Sequence, residues 1–329
     1  MKVASFSAGL AVAAAVLFAG CSGGSQTATV GGSALPPAAH SIPGYMLPSG
    51  VDSRFAGESR LSARFFSPQV APDRHRVRVE QEFFISDTGS NVFVFKNSTD
   101  TKVGDITSGI SGSDGVWVDK KGNVYVANVL GPNVTEYKKG AGAPICTYSA
   151  SLSDPISVTT DTAGNVYIAD FGPGFVREYA QCVNTVKTQI SISGPEGIAV
   201  DGKGDVFVAF SSGFEEFTNG VGTVLGATVG STGGLIIDKS GNLIADDQTG
   251  SIDLIKPPYT SATVLVSGLS DPFRDSLNSA ENLLFNANHG SGGTVTIYSY
   301  PSMSLVHTIT TSDGIDGAEG VGESPNAVF

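Results

Sequence analysis

A repeated segment constrains the fold of this chain more than any other feature. The form G-x-x-x-D-x-x-G-N-x-x-x-A-[ND] recurs about every 40 residues from residue 115 to the C-terminus. The clear copies are GVWVDKKGNVYVAN (115–128), SVTTDTAGNVYIAD (157–170) and GIAVDGKGDVFVAF (197–210), and weaker copies are GLIIDKSGNLIAD (234–246) and RDSLNSAENLLFNAN (274–288). A fixed period in this range indicates a solenoid or a propeller, in which one supersecondary unit is repeated.

Each unit has the pattern of antiparallel strands. An apolar inner strand ends at Asp, and the D-x-x-G-N turn reverses the chain, because Asp caps the turn and Gly adopts the left-handed conformation. The second strand carries an aromatic residue at a fixed place: Tyr125, Tyr167 or Phe207. A third strand recurs, as in VTEY (134–137), and a variable fourth strand follows. Four antiparallel strands per unit make a propeller blade, and we expect the aromatic residues to pack between blades.

The two ends of the repeat region complement each other. Inner strands are expected near residues 115, 156, 197, 234, 273 and 320. The last unit (319–329) has only an inner strand, whereas the first (83–95) lacks one. The sequence therefore predicts an all-β, six-bladed β-propeller closed by pairing of the C-terminal strand with the N-terminal strands, which removes exposed sheet edges.

The N-terminal region is predicted to lie outside this fold. Residues 1–20 combine Lys2 with a short Ala-rich apolar run, as secretory signals do. The segment before Cys21 resembles a bacterial lipobox, which would make Cys21 a lipidation site; alternatively, Cys21 is a chance cysteine near an ordinary cleavage site. Residues 21–80, rich in Gly, Ser, Pro and Ala at their start, are expected to form a partly disordered tether, and residues 81–329 the propeller. We expect an exported monomer, lipid-anchored to the cell envelope at the outer membrane or cell surface.

The net charge of the chain limits the classes of partner that it can bind. The formal net charge is −12, which argues against nucleic acid and against docking on an anionic membrane surface, so only a lipid anchor would hold this protein to a membrane. In an exported chain, Cys146 and Cys182 are candidates for a disulfide, because the repeat frame places both near one rim. The alternative is two partly buried thiols.

Acidic residues recur in the loops that lead into the inner strands. These loops should crowd around one mouth of the channel, and they carry Asp114, Asp154, Glu196, Asp271, Asp316 and Glu319. Converging carboxylates can bind a hard cation such as Ca²⁺, or attract a basic peptide or polyamine. The alternative is that these residues are solvated loop side chains. No cofactor is required by the sequence, and a divalent cation is the one candidate.

A second ring is expected where the second strands end. It comprises Asp87, Asn128, Asp170 and Asp246, and we favour a structural role in which each side chain bonds its own following backbone and fixes the loop. His289 lies on a loop of the same face and is a candidate ligand contact, although a lone histidine is more often an ordinary exposed side chain.

The repeat pattern resembles NHL repeats and the related six-bladed propellers of the SMP-30/gluconolactonase family. The resemblance covers residues 82–329 and implies a propeller. The lactonase members bind one divalent metal in the channel through a Glu, Asn residues and an Asp; Glu196 is the candidate here, but its context GPEGIAVD is a generic repeat context. No nucleophile motif is present.

Two functions follow from these observations. We favour a non-enzymatic scaffold of the cell envelope that binds a protein, peptide or glycan. The alternative is a metal-dependent lactone or ester hydrolase, in which a channel metal polarises a carbonyl or activates water.

Overall fold

The structure, a computed structural model, describes residues 81–87, 89–139, 142–290 and 292–323. The predicted signal, the lipidation site Cys21 and the tether lie outside these residues. In the part of the chain that is described, no helix has the length and apolar character needed to cross a membrane.

Apart from one short 3-10 helix (Thr311–Asp313), the described residues form regular structure only as β-strands. The strands in chain order are β1 (Glu82–Asp87), β2 (Val92–Lys96), β3 (Thr101–Ile106), β4 (Ser113–Val118), β5 (Val124–Asn128), β6 (Asn133–Tyr137), β7 (Cys146–Tyr148), β8 (Pro155–Thr160), β9 (Val166–Asp170), β10 (Phe175–Tyr179), β11 (Val186–Ser191), β12 (Pro195–Val200), β13 (Val206–Phe210), β14 (Gly213–Thr218), β15 (Val221–Thr228), β16 (Thr232–Ile237), β17 (Leu243–Asp247), β18 (Ser251–Ile255), β19 (Ala262–Ser267), β20 (Pro272–Leu277), β21 (Leu283–Asn288), β22 (Thr294–Ser299), β23 (Ser304–Ile309) and β24 (Ala318–Glu323).

These strands form six four-stranded antiparallel sheets, which are the blades of a β-propeller. Blade 1 has the order β24-β1-β2-β3, and blades 2 to 6 each use four consecutive strands from β4 to β23. The inner strands β24, β4, β8, β12, β16 and β20 pack against one another around the channel. The predicted architecture is confirmed, including its closure: β24 pairs with β1 from Phe83↔Glu323 to Asp87↔Ala318.

The turn between the first two strands of a blade follows from the repeated Asp and Gly. In blade 2, Asp119 Oδ1 accepts the backbone N–H of Lys121 and of Asn123, both at 2.8 Å. Gly122 has φ +82°, where a Cβ would be strained, and Asn123 closes the turn by donating to Asp119 Oδ2 at 2.9 Å. The aspartate therefore satisfies the backbone donors that the reversal leaves without partners.

The apolar core lies between the blades, as predicted. Tyr125, Tyr167 and Phe207 are all buried, and each belongs to an interface cluster. Tyr125, for example, packs in one cluster with Tyr179 of the next blade. Burying a phenylalanine such as Phe207 stabilises the fold by about 1.5–3 kcal/mol, so each repeat depends on its neighbours for a core.

Cys146, at the start of β7, and Cys182, in the turn between β10 and β11, form a disulfide with their Cα atoms 5.2 Å apart. The bond links blade 2 to blade 3 near the outer rim. It therefore fixes covalently an interface that is otherwise held by packing.

The third residue of the inner strand is Gly or Ser in five of the six blades, where neighbouring inner strands approach closely. A Cβ on Gly115 would lie 2.7 Å from the carbonyl oxygen of Ile156 in the next blade, and one on Gly320 would lie 2.7 Å from the carbonyl oxygen of Asp114. In blade 6 the pairing register places Arg274 at this position, because Arg274 pairs with Ala287 as Ser157 pairs with Ala169. The largest departure from the repeat is therefore a charged side chain at the channel.

Candidate functional site

One mouth of the channel, here called the upper mouth, lies where the inner strands begin. The second residue of each inner strand stands there and is partly exposed in five of six blades: Asp114, Ile156, Glu196, Phe273 and Glu319, with Gly233 in blade 5. A cavity of about 310 Å³ occupies this mouth. It is lined by Asp114, Ile156, Phe171, Glu196, Gln248, Phe273 and Arg274.

Arg274 crosses the channel beside this cavity. Its Nη2 donates to Asp114 Oδ1 and to the carbonyl oxygen of Ile156, both at 3.2 Å, so the guanidinium reaches from blade 6 to blades 2 and 3. Nη1 donates to the carbonyl oxygen of Phe273 at 3.0 Å, and the guanidinium lies 4.2 Å from the centre of the Phe273 ring. Arg274 is only 5% exposed, and its Nε–H has no partner among the described residues.

The carboxylates at the upper mouth are poorly compensated. Burial raises the pKa of Asp114 to about 7, although Arg274 opposes this shift. Burial also raises the pKa of Glu196 and that of Glu319; Arg274 opposes the shift of Glu196, and His289 and Arg274 oppose that of Glu319. One guanidinium therefore serves three carboxylates, and the charged form of each is less stable than in water.

His289 connects two of the predicted acidic residues. Its Nδ1 lies 3.1 Å from Asp271 Oδ2 and its Nε2 lies 3.3 Å from Glu319 Oε1. The ring also packs against Phe273, with centroids 5.8 Å apart. His289 therefore ties the upper loops of blade 6 to the inner strand of blade 1.

The other predicted members of the acidic ring lie at the rim. Asp154 precedes β8 beside Gly172, and it interacts electrostatically with Asp114. Asp316 precedes β24, is exposed and interacts electrostatically with Asp87. The structure thus brings the ring together at one mouth, with Asp114 and Glu196 in the cavity wall and Asp154 and Asp316 outside it.

The second predicted ring is structural, but it acts on a different loop from the one expected. Asp170 is fully buried, and its Oδ1 accepts the backbone N–H groups of Ser153 and Asp154, which precede it by 16–17 residues. Asn128 accepts the N–H of Ser111 in the same way. These side chains therefore hold the loop that leads into the inner strand. Of the four predicted residues that the structure describes, only Asp87 bonds its own following backbone, accepting from the N–H of Asn91 at 3.0 Å.

The placement of Asp246 in that ring was wrong. In blade 5 it is Asp247 that pairs with Thr232, as Asn128 pairs with Ser113, and Asp247 accepts the N–H groups of Gly230 and Ser231. Asp246 takes the place of the repeat alanine and is fully buried. The prediction aligned the blade 5 repeat one residue too early. Because Asp246 and Asp247 are adjacent, either one could be assigned to the ring position.

Asp246 instead belongs to a buried pair of carboxyls between blades 5 and 6. Asn286 Nδ2 donates to Asp246 Oδ1 at 2.7 Å and to Asp275 Oδ1 at 2.8 Å, and the Oδ2 atoms of both aspartates have no hydrogen-bond partner among the described residues. Burial raises the pKa of Asp275 to about 7, and burial together with the charge of Asp275 raises the pKa of Asp246 well above its ordinary value. The pair therefore favours holding a proton.

Sequence reasoning missed several residues of the site, above all Arg274, Phe171 and Gln248. Arg274 had a signal, because it begins the weakest repeat copy where the other copies begin with Gly or Ser. Phe171, Gln248 and His289 each follow the buried Asn or Asp at the end of a second strand. The residue after that Asn or Asp differs from blade to blade, and this variation indicates the residues that line the upper mouth. A further cluster, Glu136 with Cys146 and Cys182, offers no free thiolate, since the cysteines are joined.

Comparison with known proteins supports the architecture. Residues 183–214 match the family model of strictosidine synthase-like proteins, N-terminal, a short part of the chain. Among curated proteins, none matches this chain at a significant level.

Solved structures resemble the chain at low identity. A protein of unknown function from Bacteroides caccae is 12% identical with a TM-score of 0.63, and a functionally unknown protein from Desulfotomaculum acetoxidans is 13% identical with a TM-score of 0.54; each match covers 74% of this chain and 99% of the other. A streptogramin B lyase is 12% identical with a TM-score of 0.49, covering 60% of this chain and 68% of that one. The first two matches show the fold alone. Fold and site together define a six-bladed β-propeller with a polar cavity at one mouth of its channel.

Proposed function

We propose that this protein is an exported binding scaffold of the cell envelope, held there by a lipid on Cys21, and that the upper mouth binds a basic segment of a protein or peptide. The observation that carries the proposal is the crossing of the channel by Arg274, because it leaves a walled cavity at the upper mouth in which carboxylates face a single internal cation.

The electrostatics favour a cationic group in this cavity. Burial raises the pKa of Asp114 and Glu196, which line the cavity, and that of Glu319 at the same mouth, and the opposing effects of Arg274 and His289 do not cancel these shifts. An ammonium or guanidinium supplied by a ligand would stabilise the charged carboxylates and restore the lost interactions with water. Phe171 and Phe273 in the cavity wall offer apolar and aromatic surface to the stem of a lysine or arginine.

Tetralysine is a suitable probe, with affinity measured by isothermal titration at low ionic strength. We expect binding that weakens as salt rises, and that strengthens from pH 6 to pH 8, because the ligand requires the carboxylates in their charged form. The double variant Glu196→Gln/Glu319→Gln should lose most of the affinity. Asp105→Asn, which removes a carboxylate of the outer strand β3, is the matched control and should bind like the parent. Equal binding by both variants would reject the proposal.

The hydrolase alternative rests on the convergence of Asp114, Glu196 and Glu319 at one mouth. A metal held there would compete with Arg274, whose guanidinium already contacts Asp114 and would lie against the ion. We therefore expect no rise in melting temperature when Ca²⁺, Mn²⁺ or Zn²⁺ is added after EDTA treatment. A rise that Glu196→Gln abolishes would favour the hydrolase, because an ion that binds only the folded protein stabilises it by mass action.

A further inference from the structure

A second cavity lies at the opposite, lower mouth of the channel, where the hairpins between first and second strands meet. Its volume is about 330 Å³, which is within the range of small-molecule sites. Blades 2 to 6 all contribute residues to its wall, and none of these residues lines the upper cavity. The lower cavity is therefore a separate site.

The wall of the lower cavity is mainly apolar. Trp117, Ile198, Leu235, Ile237 and Leu277 all line it. The one polar atom of the Trp117 side chain, Nε1–H, donates to Thr160 Oγ1 at 2.9 Å. Because that donor is satisfied, the indole can present an apolar ring to whatever enters.

The rim of the lower cavity carries two lysines on opposite sides of the channel. Lys120 lies in the hairpin of blade 2 and Lys239 in that of blade 5, and both are exposed. Each Nζ donates to a carbonyl of the following blade, Thr162 or Ser279. An ammonium group has three donors, so both lysines retain donors for a ligand.

One carboxylate, Glu281, also lines the cavity. Its Oε1 accepts the backbone N–H of Lys239 at 2.8 Å and lies 4.0 Å from Lys239 Nζ. The lining residues therefore carry two cations and one anion, in a chain whose net charge is −12. This local excess of positive charge, above an apolar wall, is complementary to an anion with a hydrophobic tail.

We propose that the lower cavity binds a free single-chain amphiphile with an anionic head, of the medium-chain fatty acid type. The hydrocarbon chain lies against Trp117, Ile198 and Leu277, and the carboxylate lies at the rim between Lys120 and Lys239. The volume suits one chain, and burial of each methylene from water tightens binding about fourfold until the cavity is full.

Trp117 makes the proposal testable without a label, because it is the one tryptophan of the chain. The full chain is titrated with octanoate below its micelle-forming concentration while the tryptophan emission is recorded. We expect a saturable change, with affinity rising about fourfold per methylene from hexanoate to octanoate. Octylamine, which has the same tail and the opposite charge, should bind at least tenfold more weakly.

Separate variants test the anionic head and the hydrocarbon tail. Lys120→Gln/Lys239→Gln should weaken octanoate binding about tenfold, whereas Lys187→Gln, which replaces an exposed lysine of the outer strand β11, should leave the affinity unchanged. Val200→Phe should fill the cavity and abolish the fluorescence change while the variant still melts cooperatively. The proposal fails if octanoate gives no saturable change, if octylamine binds equally well, or if the double lysine variant keeps the parent affinity.

Discussion

Arg274 of blade 6 and Asp114 of blade 2 form an ion pair inside the channel, with Nη2 of the arginine 3.2 Å from Oδ1 of the aspartate. Both side chains are largely buried, at 7% and 15% exposed. The pair therefore bridges the ring of inner strands across blade 1, which β24 builds together with β1, β2 and β3.

Removing Arg274 should destabilise the propeller strongly. Arg274→Ala leaves Asp114 buried without a cation, and breaking a buried ion pair in this way costs about 3–5 kcal/mol of the free energy of unfolding. Urea denaturation at pH 8, where Asp114 is mostly charged, measures the loss. As control, Lys203→Ala breaks a 4.0 Å surface pair with Asp201 and should cost less than about 1 kcal/mol. A loss of similar size in both variants would mean that the Arg274 pair contributes no more than a surface pair.

Stability should fall as the pH rises from about 5 to 8. The pKa is raised by burial to about 7 in Asp114 and Asp275, and to about 8 in Glu323. Unfolded carboxyls titrate near pH 4, so between these values the folded protein binds more protons than the unfolded one. The free energy of unfolding then decreases by about 1.4 kcal/mol per pH unit for each such proton.

The variant Glu323→Gln tests how much one of these carboxyls contributes to the pH dependence of stability. The variant should flatten the dependence of the unfolding free energy on pH between 5 and 7, because the amide cannot titrate. Its Oε1 should still accept the hydrogen bond that Asn97 donates to Glu323 at 2.7 Å. Denaturation curves at four pH values suffice. An unchanged slope in Glu323→Gln, with Asp105→Asn behaving identically, would exclude Glu323 as a source of the pH dependence.

The fold was predictable because the residues that determine the turns, the blade interfaces and the closure recur within each repeat or at the ends of the repeat region. Asp119 and Gly122 determine the turn, Tyr125 marks the interface, and the incomplete units at residues 83–95 and 319–329 determine the closure. These are local or periodic constraints, so a single sequence displays them.

The site was less predictable because it depends on departures from the repeat. Arg274 contacts Asp114, 160 residues away, and no local pattern records that contact. The acidic loops could be assigned to one mouth, since the topology brings them there. The burial of Asp246 was missed through the shift of one residue in the repeat alignment, although the spacing from Asp119 to Asn128, applied from Asp238, leads to Asp247.

Reducing the Cys146–Cys182 disulfide should weaken the fold without abolishing it. The cysteines are separated by 36 residues, and closing a loop of this size stabilises a folded chain by about 3–4 kcal/mol. Denaturation with and without reductant measures the difference, and Cys146→Ser/Cys182→Ser should be insensitive to reductant. Thiol titration of the unfolded, unreduced chain should detect Cys21 at most. Three titratable thiols would contradict the disulfide.

Loss of β24 should open the ring. A chain that stops at Gly317 lacks the strand that pairs with β1, and the exposed edge of β1 should promote aggregation. A chain that stops at Glu323 keeps the strand and is the matched control. Size-exclusion chromatography and thermal melts distinguish the two. A chain ending at Gly317 that remains monomeric and melts like the control would show that closure adds nothing to stability.

Replacing Asp246 by the alanine found at this repeat position should stabilise the protein at high pH. The amide group of Asn286 donates one hydrogen bond to Asp246 and one to Asp275, and each aspartate keeps an Oδ2 without a partner among the described residues. Asp246→Ala removes one buried acceptor and the repulsion between two charged carboxyls, which we expect to raise the free energy of unfolding by about 1–3 kcal/mol at pH 8. At pH 5 the pair holds a proton, so the gain should be small. Asp246→Asn tests the charge without the change in volume and should show the same pH dependence. If both variants are destabilised more at pH 8 than at pH 5, the charged pair is itself stabilising, and its interaction with Arg274 must then outweigh the repulsion within it.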